Sequence, residues 1–131
     1  MDAFLGSWKL VKKENYSEYL AAIGVGEEQI NIALIVQPIL TFYKDGEFIV
    51  VKTETSILTG EVWFRLGEEY FEVTKDGRRC MNVVTLDGNK LVQVQKWNDK
   101  QTTIVREVKG ENMITTFTYE KTVSTHNYKK V

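Results

Sequence analysis

The sequence predicts a mainly β fold in which about ten antiparallel strands curl into a barrel or a clam of two sheets. Helix signals are confined to the chain before residue 38, whereas turn dipeptides recur from residue 39 onward. This spacing favours one hairpin after another, and about ten strands are more than a flat sheet carries without curling or closing. The 131 residues suffice for one substantial core, so we expect a single domain over residues 1–131.

The chain opens with a predicted strand over residues 7–13 and continues into a short helix. Asn15 and Glu18 have the spacing of a capping box, in which Asn15 accepts a hydrogen bond from the first turn and Glu18 reaches back. A helix is therefore predicted from Tyr16 to Ile23, with Gly24 at its end.

A second helix is predicted between Glu27 and Pro38, which makes the two helices a hairpin. Glu27 and Glu28 complement the positive end of the helix dipole, and Pro38 limits the helix on its far side. Residues 30 and 32–36 make this helix apolar on most of its circumference. We expect part of this surface to be exposed, and the alternative is that it packs onto the first helix and the barrel.

Turn signals separate the predicted strands in the remainder of the chain. Each is a dipeptide of a kind that favours a tight turn. They lie at residues 45–46, 59–60, 66–67, 76–77, 87–88, 98–99, 109–110 and 120–121.

The faces of the predicted strands mix polar and apolar residues. Gln93 and Gln95 share a face with Trp97, and Arg106 shares a face with Ile104. Unpaired polar groups are costly in a solid core, whereas a barrel with a hydrated interior tolerates them and has room for a small ligand. We therefore expect an internal cavity, and the alternative is that these polar residues face outward.

Three residues in the last part of the chain are candidate ligand contacts. His126, the only histidine, lies two residues before Tyr128, so both side chains point to one face of an extended segment. Arg106 stands in the middle of a predicted strand, where a cation is out of place unless an anion meets it. If both strands face one enclosed space, the three side chains suit an acidic head group.

Composition argues against several other classes of protein. The chain has 17 basic and 18 acidic residues and a formal net charge of -1, so no global field favours nucleic acid. One cysteine, Cys80, excludes an internal disulfide, and residues 1–3 lack the start of a signal peptide, so we expect a cytoplasmic location. The longest apolar stretch, residues 30–42, is interrupted and too short to span a bilayer.

Enzymatic and metal-binding functions are not favoured either. A hydrolytic triad would have to use His126, and no G-x-S-x-G motif accompanies it. One histidine and one cysteine cannot form a typical zinc site, and the glycines at residues 24–26 lack the third glycine of a dinucleotide loop. We expect no catalysis, no metal and no cofactor.

Segments along nearly the whole chain carry a specific resemblance. They are FLGSWKL at residues 4–10, NY at 15–16, YL at 19–20, GVG at 24–26, LGEE at 66–69, EVT at 72–74, DGR at 76–78, VTLDG at 84–88, QKW at 95–97 and TTIVRE at 102–107. In this order they resemble the cytosolic fatty-acid-binding proteins, a family of intracellular lipid-binding proteins. The resemblance implies a ten-stranded antiparallel up-and-down β-barrel, or β-clam, with a helix-turn-helix lid that binds long-chain fatty acids or related lipids reversibly.

The resemblance also implies a head-group site. It places Arg106 and Tyr128 at two positions of the family's carboxylate clamp and adds Gln95, but His126 stands where the family usually has an arginine. Arginine is permanently charged and offers parallel donors, whereas histidine has an unperturbed pKa of about 6.5 and one donor per ring nitrogen. The clamp is therefore expected to be weaker or pH-dependent. A ligand carboxylate favours the protonated histidine and burial opposes it, so both signs stay open.

The tail-binding wall and portal of the family map here onto mostly apolar or small residues. They are Tyr16, Leu20, Val25, Ala33, Pro38, Leu40, Thr53, Thr55, Ile57, Asp76, Arg78, Thr115 and Phe117. Burial contributes about 0.8 kcal/mol per methylene, so a long tail can supply most of the affinity. Ile57 replaces the phenylalanine common at the family's portal, and the bulk of Phe117 is expected to shorten or bend the bound tail.

Two functions stay open at this point. The favoured one is a monomeric carrier of fatty acids or similar ligands, with retinoid-like ligands as a variant, and the other is a membrane-interacting structural module of the same fold. Transient membrane contact is expected through the helical lid. Because Glu27 and Glu28 stand where membrane-collecting members tend to carry lysines, we expect this contact to be hydrophobic rather than strongly electrostatic.

Overall fold

A ten-stranded antiparallel sheet curls into a nearly closed barrel that carries a lid of two helices, and this confirms the predicted fold class. The computed structural model describes residues 1–131. The strands are β1 (Gly6–Glu14), β2 (Ile39–Asp45), β3 (Phe48–Glu54), β4 (Thr59–Phe64), β5 (Tyr70–Val73), β6 (Arg79–Asp87), β7 (Lys90–Trp97), β8 (Lys100–Lys109), β9 (Asn112–Tyr119) and β10 (Thr122–Lys130). The helices are a 3₁₀ turn (Asp2–Phe4), α1 (Tyr16–Ala22) and α2 (Glu27–Ile35).

The sheet closes because its first and last strands pair. Consecutive strands are hydrogen-bonded neighbours, β1 also pairs with β10, and only β4 and β5 remain unpaired with each other. Gly46 and Gly88 turn two of the hairpins with φ values of 61° and 62°, in the left-handed region that glycine adopts without steric cost. Local turn chemistry thus accounts for most of the up-and-down order.

The turn predicted at residues 59–60 is wrong, because Thr59 and Gly60 lie within β4. The chain turns earlier, where the Thr55 amide donates to the Leu58 carbonyl oxygen at 2.8 Å. Thr55 Oγ1 also accepts a hydrogen bond from the Leu58 amide at 3.0 Å. A hydroxyl that captures nearby amides is a weaker turn signal in sequence than a glycine, which explains the error.

The predicted capping box is also wrong, although α1 begins and ends close to the expected residues. Asn15 adopts a left-handed conformation (φ 59°, ψ 28°) and makes no capping hydrogen bond. Its Nδ2 instead donates to the Val123 carbonyl oxygen of β10 at 2.8 Å. The Asn15 side chain therefore makes a tertiary hydrogen bond in place of the helix-capping bond that the local spacing predicted.

Helix α2 is a lid element with no buried residue, as its apolar circumference led us to expect. Ile35 is 77% exposed. The C-terminal end of the helix is held by Lys13 of β1, whose Nζ donates to the carbonyl oxygens of Ala33, Leu34 and Val36 at 2.7, 2.9 and 2.7 Å. A cation at this end satisfies free carbonyls and complements the helix dipole, so Lys13 fastens the lid to the barrel.

The buried apolar residues form two separate clusters. The larger one includes Phe4, Trp8 and Phe64, and the indole Nε1 of Trp8 donates to the Phe4 carbonyl oxygen at 2.9 Å. The smaller one packs the inner face of α1 against the barrel and includes Tyr19 of the helix and Trp97 of β7. Seven polar residues are buried as well, which confirms the mixed strand faces; they are Asn82, Gln93, Gln95, Thr102, Thr115, Ser124 and His126. None of the helices has the length and apolar character needed to cross a membrane.

Candidate functional site

A cavity of about 950 Å³ occupies the barrel, with walls contributed by both helices and most strands. A second cavity of about 220 Å³ adjoins it, and Tyr16, Arg106 and Phe117 line both. The larger volume falls within the range of about 300–1,000 Å³ that is typical of small-molecule sites. The barrel therefore has room for a ligand.

The structure gathers almost all of the predicted site residues around these cavities. Those that line one or both are Tyr16, Leu20, Val25, Ala33, Pro38, Leu40, Thr53, Thr55, Ile57, Asp76, Arg78, Gln95, Arg106, Phe117, His126 and Tyr128. Thr115 is the exception, since it is 1% exposed and lines neither cavity. Its cross-strand neighbours Arg106 and His126 carry larger side chains that reach farther into the interior.

The mouth of the larger cavity lies where the β3–β4 turn faces the lid. Ile57 and Leu58 line the cavity but are 68% and 51% exposed, so they stand at its opening. Ile32 and Ala33 of α2 line the same cavity. These residues give the opening an apolar side along which a hydrophobic tail can pass.

Arg106 of β8 is a cation inside the barrel with no carboxylate paired to it. Its Nη1 donates to Gln93 Oε1 at 3.3 Å, and its Cζ lies 5.9 Å from the centre of the Phe42 ring. Its Nε is buried without a hydrogen-bond partner. Burial lowers the pKa of Arg106, and the nearby Tyr128 and Glu72 side chains oppose this effect only in part. Such a group is stabilised by an incoming anion.

His126 of β10 lies among aromatic rings. Its ring centre is 4.3 Å from that of Tyr16, 4.7 Å from that of Phe117 and 6.2 Å from that of Tyr128. The residue is 4% exposed, and neither of its ring nitrogens has a hydrogen-bond partner. His126 is therefore packed like an aromatic core residue while it retains two free polar atoms.

This environment determines the charge of the imidazole. Burial lowers the pKa of His126 to about 4, and the cations Lys13 and Arg106 act in the same direction. His126 is thus neutral at pH 7, and Arg106 is the only fixed positive charge of the predicted head-group set. Burial also raises the pKa of Tyr128 to about 12, so its hydroxyl keeps its proton and can donate.

Gln95 does not contact Arg106 directly and is linked to it only through Asn82 Oδ1, which accepts from both Gln95 and the Gln93 that meets Arg106. Arg78 binds Asp76 through Nε at 2.6 Å and donates from Nη1 to Gln95 Oε1 at 2.9 Å. Gln95 Nε2 in turn donates to Glu72 Oε1 at 3.3 Å and to Asn82 Oδ1 at 3.2 Å. Gln95 has partners on both sides, so its predicted head-group role stays a prediction without a contact to Arg106.

Sequence reasoning missed Glu72 and Tyr70, and it used Gln93 to predict a cavity without assigning it to the site; all three line the smaller cavity. Burial raises the pKa of Glu72, although Arg78 acts against it. The strand alternation of β5 could have placed Tyr70 and Glu72 on one face. Hydrophobicity would have reversed the assignment of the two faces, because the outward face carries the apolar Phe71 and Val73, which are 53% and 58% exposed.

A cavity inside the barrel with a mostly apolar wall and a buried cation that has no carboxylate partner is typical of a β-barrel binding protein for an amphipathic ligand. A model of the lipocalin / cytosolic fatty-acid binding protein family matches residues 5–131. Human fatty acid-binding protein 9 is 38% identical over 131 residues, which cover 100% of this chain and 99% of that protein. The chain belongs to the lipocalin / cytosolic fatty-acid binding protein family, and the resemblance is confirmed.

Solved structures agree with this assignment. The fatty acid binding protein of Schistosoma mansoni in complex with arachidonic acid has a TM-score of 0.96 at 36% identity, over 100% of this chain and 98% of that one. Fatty-acid-binding protein 1 of Echinococcus granulosus has a TM-score of 0.96 at 30% identity, over 100% of this chain and 99% of that one.

Proposed function

We propose that this protein binds long-chain fatty acids or similar hydrophobic ligands reversibly inside the barrel and carries them through the cytoplasm as a monomer. The observation that carries this proposal is Arg106, a buried cation that faces the cavity without a carboxylate partner. The relatives named above, one of them solved with arachidonic acid, support the same ligand class.

The proposed ligand lies with its carboxylate at Arg106 and Tyr128 and its tail toward the mouth. Leu20, Leu40 and Val25 line the cavity between these ends. Each buried methylene contributes about 0.8 kcal/mol, so the tail supplies most of the affinity and one fixed charge suffices to orient the head. The role of the predicted tail and portal residues is part of this proposal.

The same site supports binding without chemistry. His126 is the only histidine, and its ring contacts aromatic side chains while neither nitrogen holds a hydroxyl or thiol. A nucleophile activated by a neighbouring base requires such a hydrogen bond. We therefore propose a carrier rather than an enzyme.

Displacement of a fluorescent fatty-acid analogue from the delipidated protein tests the proposal. We expect oleate to compete saturably and one-to-one. Retinoic acid serves as the second competitor, and stronger competition by it than by oleate identifies the retinoid variant. If neither ligand competes, the barrel is not a carrier and the membrane-interacting structural module is favoured.

We also propose that the lid and the mouth touch membranes transiently. Ile32 of α2 lines the cavity mouth with Ile57 and Leu58 of the β3–β4 turn, and all three are exposed. Helix α2 also exposes Leu34 and Ile35, with Ile35 77% and Ile57 68% exposed. Glu27 and Glu28 place negative charge at the start of the same helix. The contact is therefore hydrophobic, and anionic lipid does not promote it.

Ligand transfer to vesicles tests this contact. We expect Ile35→Gln to slow transfer several-fold, and Leu86→Gln, at an exposed leucine near the β6–β7 turn, to leave it unchanged. Adding anionic lipid to neutral vesicles should change the wild-type rate little. A steep acceleration by anionic lipid contradicts the proposed hydrophobic contact.

A further inference from the structure

Three neighbouring side chains on β8, β9 and β10 hold polar atoms that have no protein partner. Thr115 pairs in register with Arg106 on one side and with His126 on the other. Arg106 Nε, Thr115 Oγ1 and both ring nitrogens of His126 are buried without a hydrogen bond. Unpartnered buried polar atoms are costly, and Arg106 and His126 both line the larger cavity, so a polar ligand group in the cavity can serve as the partner of these two residues.

The row differs from a site made only of donors. Arg106 can only donate, but a neutral imidazole has one N–H donor and one acceptor nitrogen, and the Thr115 hydroxyl can do both. A carboxylate accepts hydrogen bonds and offers none, so it satisfies Arg106 and leaves the acceptor nitrogen of His126 unpaired. A head group that also donates removes this deficit.

The surroundings preserve that acceptor at neutral pH. The rings of Tyr16 and Phe117 enclose His126, and the cations Lys13 and Arg106 oppose its protonation. Burial and these charges hold the pKa of His126 at about 4. The lone pair therefore remains available to a ligand wherever the protein is near neutrality.

We propose that this site prefers acyl lipids that carry a hydrogen-bond donor beside the carboxylate, as 2-hydroxy fatty acids do, over unsubstituted fatty acids. The carboxylate binds Arg106 and Tyr128, and the adjacent hydroxyl donates to the acceptor nitrogen of His126. Adjacent strands lie about 4.8 Å apart, so the backbones of Arg106 and His126 lie about 10 Å apart on either side of Thr115, and their side chains extend into the same cavity. The inference rests on the proposed fatty-acid function and names its ligand class.

One residue of the lid packs against this histidine. Tyr16 belongs to α1, and its ring meets the imidazole edge-on with centres 4.3 Å apart. Both residues line the larger cavity, so a ligand hydroxyl approaches His126 beside the Tyr16 ring. The hydroxyl then replaces an aromatic contact with a hydrogen bond.

Competitive displacement by three acids of equal chain length tests the preference. We expect 2-hydroxypalmitate to bind about 5-fold more tightly than palmitate, which corresponds to one net hydrogen bond. 2-Methoxypalmitate, which has the oxygen without the donor, should show no gain. Equal affinity of palmitate and 2-hydroxypalmitate overturns the inference and leaves the proposed function intact, whereas failure of both to bind overturns the proposed function and the inference with it.

His126→Phe provides the matched variant, because it keeps an aromatic ring and removes the acceptor. We expect the ratio of 2-hydroxypalmitate affinity to palmitate affinity to fall from about 5 to about 1 in this variant, whatever the change in palmitate affinity itself. A preference that persists in the variant overturns the inference.

A measurement on the unaltered protein removes any dependence on the folding of that variant. The chain has one histidine, so its imidazole ¹⁵N resonances need no assignment by mutation. We expect the acceptor-nitrogen resonance to move upfield with 2-hydroxypalmitate and to stay in place with palmitate. Identical spectra for the two complexes overturn the inference.

Discussion

Replacing Arg106 by methionine is expected to weaken palmitate binding about 100-fold, because hydrogen bonds to charged groups contribute about 1.5–3 kcal/mol. The same substitution should stabilise the delipidated protein by about 1–2 kcal/mol, since it removes a buried cation that has no carboxylate partner. The guanidinium has Gln93 Oε1 at 3.3 Å as its only hydrogen-bond acceptor, and its Nε has none. Weaker palmitate binding together with a more stable delipidated protein would show that the charge of Arg106 serves the ligand and not the fold.

Two controls accompany this prediction. Hexadecanol has the same tail without a carboxylate, so its affinity should be nearly equal in wild type and Arg106→Met. Arg79→Met removes an exposed arginine from the outer surface of β6, where its Cζ lies 5.6 Å from the Phe71 ring, and should leave palmitate affinity unchanged without stabilising the protein. The measurements are displacement titrations and urea unfolding of delipidated protein. Equal losses for acid and alcohol, or a destabilised variant, contradict the role assigned to Arg106.

The fold could be predicted from sequence because most of its signals are local. Turn dipeptides with glycine at positive φ and the change from helix to strand patterns near residue 38 gave ten strands and two helices in order. The errors occurred where distant contacts prevailed. Asn15 bonds the backbone of Val123, 108 residues away, and Thr55 turns the chain through its hydroxyl.

The candidate site could be predicted only in part. Arg106 and His126 were recognisable because a cation and a lone histidine are unusual inside strands. Gln93 and Gln95 share one face of β7, so strand alternation alone could not tell which one meets Arg106. Register decides this, because Leu91 pairs with Arg106 and places Gln93 nearer to it than Gln95. The neutral state of His126 could not be predicted, because it follows from burial among aromatic rings that come together only in the folded chain.

Lowering the pH from about 6.5 to 4 is expected to reduce the stability of the wild-type protein by about 3 kcal/mol relative to His126→Phe. The folded pKa of His126 is about 4, below the ordinary value of 6.5. The imidazole of His126 therefore becomes protonated below about pH 6.5 in the unfolded chain but only below about pH 4 in the folded protein. The stability contributed by the neutral imidazole is complete above pH 6.5 and is lost as the pH falls through this window.

The comparison between the two proteins isolates His126 from other titrating groups. Burial raises the pKa of Glu72 in the folded state, so falling pH relieves a destabilisation there and acts with the opposite sign. Lys13 and Arg106 face His126, and both are retained in the variant. Urea unfolding of both delipidated proteins across the window measures the difference. If the stability of the two proteins changes in parallel with pH, the pKa of His126 is not depressed. A depressed pKa makes the wild-type protein lose stability relative to the variant as the unfolded chain becomes protonated.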